Sequence, residues 1–240
     1  MSRYFRRIGI ATLLLTLLLS DSAGATAQEA TPPPATPVSA TDVCNQAMLA
    51  ATPEPASVEP PAGATFDLAF IDLMMTHHQR SIELAMIALE RGEHPELIAL
   101  ARQTIDTSLD QMERLRQWRD LWYAGIPVIT GSQAMAIFDQ MAAGNPGRGG
   151  VPGAREITTP PDIMSLCGAN PGEFDLAFID RMVTLHSGAL LLSEAAITLA
   201  EHTEIQNFAT ARLASLRTDV DALNAWRSLW FPEATPADND

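Results

Sequence analysis

A stretch of seven residues, MMTHHQR at 74–80, carries two methionines and two adjacent histidines. The thioether of Met74 and the imidazoles of His77 and His78 are soft to borderline metal ligands. Such ligands suit Cu(I), Ag(I) or Cu(II) far better than Mg²⁺ or Ca²⁺. The residue types therefore indicate a candidate copper or silver site.

A second stretch, MVTLHSGA at 182–189, repeats this pattern in part. Met182 and His186 keep the Met-x-x-x-His spacing of the first stretch, whereas Leu185 stands where the first has a histidine. Residues four apart lie one helical turn apart on the same face. The feature that occurs twice is thus a Met-His turn, and the adjacent pair of histidines occurs once.

Both stretches lie inside a longer internal repeat. Residues 66–123 align without a gap on residues 174–231, at an offset of 108, with identical FDLAFID, M-x-T-x-H, E-H-x-E and W-R-x-L-W. The apolar spacing in each copy predicts two amphipathic helices. In the first copy Gly92 ends one helix and Pro95 opens the next, so the short connection makes the pair antiparallel.

One hairpin cannot bury its own apolar stripe, so we predict that the two pack face to face. The expected fold is all-α, a ferritin-like four-helix bundle with a pseudo-twofold axis. His78 falls in the buried row of Phe70 and Met74, and His186 falls in the matching row. The two Met-His turns are therefore expected to converge in the core on a metal ion.

A second interpretation needs no metal. Methionines at helical spacing commonly fill cores, and buried histidines are commonly hydrogen-bonded. The chain would then be a non-metallated structural or protein-interaction bundle of the cell envelope. His94 and His202 also repeat, but they sit at the turn of each hairpin, where we expect them to cap or close it.

Acidic residues repeat as well. Asp67 and Asp175 are expected in the first turn of a helix, where a negative charge suits the helix dipole. Asp72 and Asp180 lie deeper and are expected to orient a ligand histidine or to pair with an arginine.

Motifs of the common hydrolases and di-iron proteins do not occur. The sequence has no Glu-x-x-His, no HExxH and no G-x-S-x-G. Because no nucleophile is placed beside a base, we predict that the protein is not an enzyme.

The N-terminal 27 residues have the pattern of a secretory signal. Three arginines precede an apolar run from Ile8 to Leu19, and the segment closes with Ala25-Thr26-Ala27. Cleavage would leave about 213 residues, which no later stretch is expected to anchor in a membrane; an uncleaved anchor is the alternative. The chain is therefore expected to be periplasmic or extracellular.

The exported chain is strongly acidic. The formal charge of −14 becomes about −16 without the signal, and the sequence contains no lysine. Such a surface excludes nucleic acid and anionic membranes as partners and favours metal cations. No feature identifies a protein partner.

Three segments lie outside the hairpins. Residues 28–65 are rich in Pro, Ala and Thr and are predicted to be disordered, apart from a short helix at 44–50. Residues 124–173 form a linker with a short helix at 132–143 and a Gly/Pro-rich loop that lacks the lysine of a phosphate-binding loop. Residues 232–240 form an acidic tail.

The two cysteines, Cys44 and Cys167, are expected to form a disulfide in an exported chain. Closing so long a loop would stabilise the fold by about 4–5 kcal/mol in the chain-entropy model. Soft copper ligation by the two thiolates is the alternative.

The pattern F-x-x-x-M-x-x-H-H, followed by an alanine-rich helix and a second helix ending in tryptophan, resembles the domain of unknown function 305 family. The matching stretches are FIDLMMTHHQRSIELA through MERLRQW and FIDRMVTLHSGALL through VDALNAW, so the resemblance covers two tandem copies. It implies a ferritin-like four-helix core in an exported bacterial protein. Some members bind copper or silver, which implies Met74, His77 and His78 as ligands. The family's Gln and Glu on the second helix are replaced here by Ser108 and Gln111, and by Leu216 and Asp219.

Overall fold

The structure is a computed structural model that describes residues 39–49, 59–143, 151, 153–158 and 163–233, all within one compact unit. The predicted signal peptide, most of the Pro-rich segment, most of the Gly/Pro-rich loop and most of the acidic tail lie outside the described residues.

The described residues form eight helices and no strand, which confirms the all-α prediction. The helices are α1 (Ala40–Leu49), α2 (Phe66–Arg91), α3 (Pro95–Trp122), α4 (Gly131–Ala143), α5 (Ala154–Thr158), α6 (Ile163–Gly168), α7 (Pro171–Leu199) and α8 (Thr203–Trp230).

Two long hairpins, α2–α3 and α7–α8, correspond to the two sequence repeats. The Thr65 hydroxyl caps α2 by accepting a hydrogen bond from the Leu68 amide. Pro95 occupies the first turn of α3, where an N–H is not needed. The turns at 92–94 and 200–202 are only three residues long, so each hairpin is antiparallel, as predicted.

Helices α2 and α7 occupy the centre of the fold. They pack on each other, α3 packs on α2, and α8 packs on α7. The short helices α1, α4 and α5 pack on α2, while α5 and α6 also contact α7.

The prediction for the segments outside the hairpins was incomplete. The segment predicted to be disordered contains α1, which begins four residues before the predicted helix. The linker contains α4, close to its predicted place, and also α5 and α6, which the sequence reading missed. Helices of five and six residues hold too few apolar positions to show a period.

Helix α7 corrects a second expectation. By length and composition alone it could cross a membrane, but half of its most apolar stretch is buried inside the fold. Since α7 packs on α2, α5, α6 and α8, it needs apolar side chains on several faces.

Two glycines allow α5 to approach α7. A Cβ atom at Gly188 would lie 2.6 Å from the Glu156 Cβ and 2.9 Å from the Gly153 carbonyl oxygen. Gly153 has φ +83°, and a Cβ there would overlap the Gly188 carbonyl. The Gly that follows His186 by two residues is therefore a packing residue.

The disulfide prediction agrees with the structure. Cys44 of α1 and Cys167 of α6 are joined, with their Cα atoms 6.0 Å apart. Arg91 at the end of α2 donates hydrogen bonds to the carbonyls of Leu166 and Cys167, which satisfies the open C-terminus of α6. The bond thus fastens two short flanking helices beside α2.

The core has two apolar clusters related by the repeat. One contains Phe66, Phe70 and Met74 with side chains from α4, α5, α7 and α8, and the other contains Phe174, Phe178 and Met182 with side chains from α1, α2, α3 and α6.

Candidate metal centre

Three histidines meet at the centre of the fold, where α2 and α7 pack together. His77 and His78 have no exposed surface and His186 is 1% exposed. The ring centroid of His77 lies 5.2 Å from that of His78 and 5.4 Å from that of His186. The structure therefore brings the three predicted histidines into one cluster.

Burial keeps these imidazoles neutral. Desolvation lowers the pKa of His77 and His78 well below the usual value, and the neighbouring rings and Arg212 act in the same direction. The pKa of His186 falls to about 3 for the same reasons, burial first and the Arg212 charge second. Each ring is thus uncharged at neutral pH and has one nitrogen without a proton, as a metal ligand must.

Most of the ring nitrogens have no hydrogen-bond partner. Nδ1 of His78 lies 3.2 Å from the Ser108 hydroxyl, and Nε2 of His77 lies 3.2 Å from an Arg212 nitrogen. In the part of the chain that the structure describes, Nδ1 of His77, Nε2 of His78 and both nitrogens of His186 have none. Each buried polar group left unpaired costs about 1–3 kcal/mol.

Gln111 lies beside His78 without satisfying it. The Gln111 amide opposes the lowering of the His78 pKa, so the two groups are close. Among the described residues, however, neither Nε2 of His78 nor Oε1 of Gln111 has a hydrogen-bond partner.

The two methionines do not share the histidine cluster. Met74 packs in the apolar cluster of Phe70, whereas Met182 packs in the cluster of Phe178. Each methionine precedes its histidine by one turn, which is about 6 Å along the helix axis. Because α2 and α7 are antiparallel, Met74 and Met182 are displaced from the histidines in opposite directions. The structure therefore brings the three histidines together and places Met74 and Met182 in different apolar clusters.

Arg212 of α8 also belongs to the centre, and the sequence analysis did not predict it as a site residue. It is only 5% exposed, and its guanidinium donates hydrogen bonds to the Ser215 hydroxyl and to His77 Nε2. Burial lowers its pKa to about 10, so it stays charged at neutral pH. Its place in one buried row with Phe208 and Leu216 was the available signal, because an arginine in an apolar row is unusual.

The repeated histidines outside the centre close the turns by a contact between hairpins. His202 Nδ1 lies 2.7 Å from Asp67, and His94 Nδ1 lies 2.6 Å from Asp175. The predicted role in the turn is thus correct, but each partner belongs to the other hairpin. Trp122 stacks on His202 and Trp230 stacks on His94, with centroids 3.9 and 3.7 Å apart.

The deeper aspartates pair with arginines, as one of the two expectations had it. Arg119 lies 2.6 Å from Asp72, and Arg227 lies 2.7 Å from Asp180. Neither carboxylate therefore orients a histidine of the cluster.

A groove between α3 and α8 leads to the centre. Its cavity volume is about 710 Å³, and its lining includes His186, Arg212 and Asp219 together with Ser108 and Gln111. Burial raises the pKa of Asp219, and the nearby Arg212 charge opposes that shift. Because His186 of α7 and Arg212 of α8 line it, the groove connects the centre with the protein surface.

The types of donor suit a soft metal ion, but their arrangement in this structure does not form a metal site. No three His, Cys, Asp or Glu side chains among the described residues are grouped to hold a metal ion. The centroid spacings nevertheless bring neighbouring imidazoles within reach of one ion, given nitrogen–metal distances of about 2.0–2.1 Å after ring rotation. Imidazole nitrogens without a carboxylate suit copper, and a thioether beside them would favour Cu(I) or Ag(I).

A model of one protein family, the domain of unknown function DUF305, matches residues 67–227. The match spans both hairpins as one unit and does not divide them into two copies. No curated protein matches the chain.

Solved structures share the fold. CopM in its Cu(II)-bound form is 25% identical with a TM-score of 0.55, covering 69% of this chain and 97% of CopM. CopM in an Ag-bound form obtained by soaking is 25% identical with a TM-score of 0.52, covering 69% and 96%. A DUF305 protein of Streptomyces coelicolor that is described as secreted is 18% identical with a TM-score of 0.58, covering 73% and 98%.

Proposed function

This chain belongs to the DUF305 family, and we propose that it is an exported, non-enzymatic protein that binds copper or silver ions at the histidine cluster between α2 and α7. Binding would serve to sequester the ion or to pass it on.

The unpaired imidazole nitrogens carry this proposal. Four nitrogen atoms of His77, His78 and His186 are buried without partners in the described part of the chain. A fold that only needed to fill this space would be more stable with apolar side chains. An ion bound by the unprotonated nitrogens among them would compensate for part of this cost.

The kind of ion follows from donors and charge. Imidazole and thioether are soft to borderline ligands, and the buried guanidinium of Arg212 makes a monovalent ion less unfavourable than a divalent one. The similarity to CopM, whose structures include copper- and silver-bound forms, supports the same choice.

We assign His77, His78 and His186 as the principal ligands. Met74 is one turn from His78 and Met182 is one turn from His186, so each thioether can complete the shell of its own histidine. Since the two methionines lie on opposite sides of the cluster, one ion takes at most one of them. The groove between α3 and α8 provides the path from solvent.

The remaining parts of the proposal rest on sequence. The N-terminal signal pattern supports export to the periplasm or beyond, and the acidic surface supports attraction of cations. The gapless repeat supports descent of a ferritin-like bundle from two tandem hairpin copies. The absence of a catalytic motif supports binding without catalysis.

A non-metallated structural or interaction bundle is the second candidate, and Arg212 favours it. Its guanidinium donates to His77 Nε2, the atom that an ion would need. This function would leave the histidines as polar core residues.

Metal analysis of untagged protein recovered from the cell envelope distinguishes the two functions. The metal proposal expects stoichiometric copper or silver and a rise in the melting temperature when Cu(I) is returned to stripped protein. Metal-free protein whose melting temperature ignores Cu(I) would establish the structural bundle instead.

A further inference from the structure

Arg212 is a cation inside the bundle that forms no ion pair with any described residue. No carboxylate lies within ion-pair distance of it in the described ranges, and its two hydrogen-bond partners, Ser215 and His77, are both neutral. Asp219 is the acidic group whose charge acts on it, from one wall of the same groove. A buried charge is strongly unfavourable unless a counter-charge is bound beside it.

One hydrogen-bond donor of the guanidinium has no partner among the described residues. The Nε–H of Arg212 is buried and has no acceptor among the residues that the structure describes. The side chain lines the groove between α3 and α8, so an acceptor bound in the groove would lie beside the guanidinium. The opposite wall presents the hydroxyls of Thr104 and Ser108, which are themselves buried.

We propose that this groove binds a small monocarboxylate with a short apolar tail, whose carboxylate pairs with the Arg212 guanidinium. Arginine presents its donors in a planar fork that matches the two oxygens of a carboxylate. This binding needs no ion at the histidines and so does not depend on the proposed metal function, although it uses the same groove and the arginine that contacts His77.

The lining of the groove limits the ligand. Leu100, Trp118 and Phe208 give it an apolar section, and a volume of about 710 Å³ is in the range of small-molecule sites. Its charged lining holds three acidic side chains, Asp110, Glu204 and Asp219, and besides Arg212 only the exposed Arg114, so it repels ligands of higher negative charge. These features select a single carboxylate on an apolar body.

Only the second hairpin has an arginine at this position of the repeat. Thr104 stands in the first hairpin where Arg212 stands in the second, so the groove has one guanidinium at its buried wall. Arg212→Thr is therefore the substitution that the chain itself uses at the matching position.

The test uses butyrate as the probe and the metal-free exported chain. The Nε–H resonance of Arg212, assigned as the signal that Arg212→Lys removes, is followed by NMR during titration with butyrate. Sodium chloride at equal ionic strength is the reference. We expect a saturable shift with butyrate alone, and binding about tenfold or more weaker in Arg212→Thr.

Arg217→Thr is the matched control, since it removes an exposed arginine of α8 that pairs with Glu194. It should bind butyrate as the unsubstituted protein does. No shift, an equal shift with chloride, or equal loss in both threonine variants would overturn the proposal. If Arg212→Thr does not fold, the resonance of the unsubstituted protein still decides.

Discussion

Arg212 of α8 donates a hydrogen bond to Nε2 of His77 across 3.2 Å, so a permanent cation lies against the histidine cluster. Since His77 Nε2 accepts this bond, the ring carries its hydrogen on Nδ1. A metal ion that uses Nε2 of His77 must displace the guanidinium and withstand its charge.

Removing this cation should tighten metal binding. We expect Arg212→Thr to bind Cu(I) about tenfold or more tightly than the unsubstituted protein, because a like charge near the ion is lost and His77 Nε2 is freed. Competition with a chromophoric Cu(I) chelator measures the change. Arg217→Thr should leave the affinity unchanged, and equal gains in both variants would show a general charge effect.

The contacts between the hairpins should carry much of the stability. Asp67 accepts hydrogen bonds from the backbone amides of Glu201 and His202 and from the His202 ring. We expect Asp67→Asn to lower the free energy of unfolding by about 2–4 kcal/mol, because charge-assisted bonds to a buried carboxylate are lost. Urea denaturation gives the value.

The contact at the matching position of the other hairpin can be compared with that of Asp67. Asp175 makes the same contacts with the turn at Glu93 and His94, so Asp175→Asn should cost a similar amount. Asp106→Asn, on the exposed face of α3, should cost almost nothing. A large difference between the two buried substitutions would contradict the symmetric role.

Acidification should destabilise the fold through the histidines. Their folded-state pKa values lie below the usual value, so the unfolded chain takes up protons first as the pH falls below about 6.5. The stability is therefore full above that pH and is lost toward the folded pKa, which for His186 is about 3.

His186→Leu isolates one contribution. Between pH 6.5 and 5 the unsubstituted protein should lose stability more steeply than the variant, by up to about 1.4 kcal/mol per pH unit. Urea titrations of both proteins across that range measure the two slopes. Parallel slopes would mean that His186 titrates in the folded state as it does in the unfolded one.

Removal of the disulfide should affect stability and leave metal binding intact. The bond closes a loop of 123 residues, so Cys44→Ala/Cys167→Ala should unfold about 2–5 kcal/mol more easily. Elemental analysis should find the same metal content in both proteins. A loss of bound metal with the fold preserved would make the cysteines ligands.

The sequence predicted the repeated elements well because each is encoded locally. Apolar spacing, Gly92 and Pro95 are read within a few residues, and the buried row of His78 follows from one helix alone. The helix pairs and the place of His78 in the core could therefore be expected from the sequence.

The sequence could not predict contacts that depend on how the hairpins are placed. Asp67 contacts His202, which lies 135 residues away along the chain, and no local sequence pattern links the two residues. The separation of Met74 from Met182 follows from the antiparallel crossing of α2 and α7, which a row-by-row reading ignores. Arg212 was overlooked because its repeat partner, Thr104, carries no charge.

Cu(I) affinity of a histidine double variant is the most direct test of the proposed centre. His78→Ala/His186→Ala removes two imidazoles from the cluster, whereas His94→Asn/His202→Asn removes two from the turns. By competition with a chromophoric chelator, we expect the first variant to lose at least about a hundredfold in affinity and the folded second variant to keep it. Equal Cu(I) affinity in the first variant and the unsubstituted protein would contradict a metal site between α2 and α7.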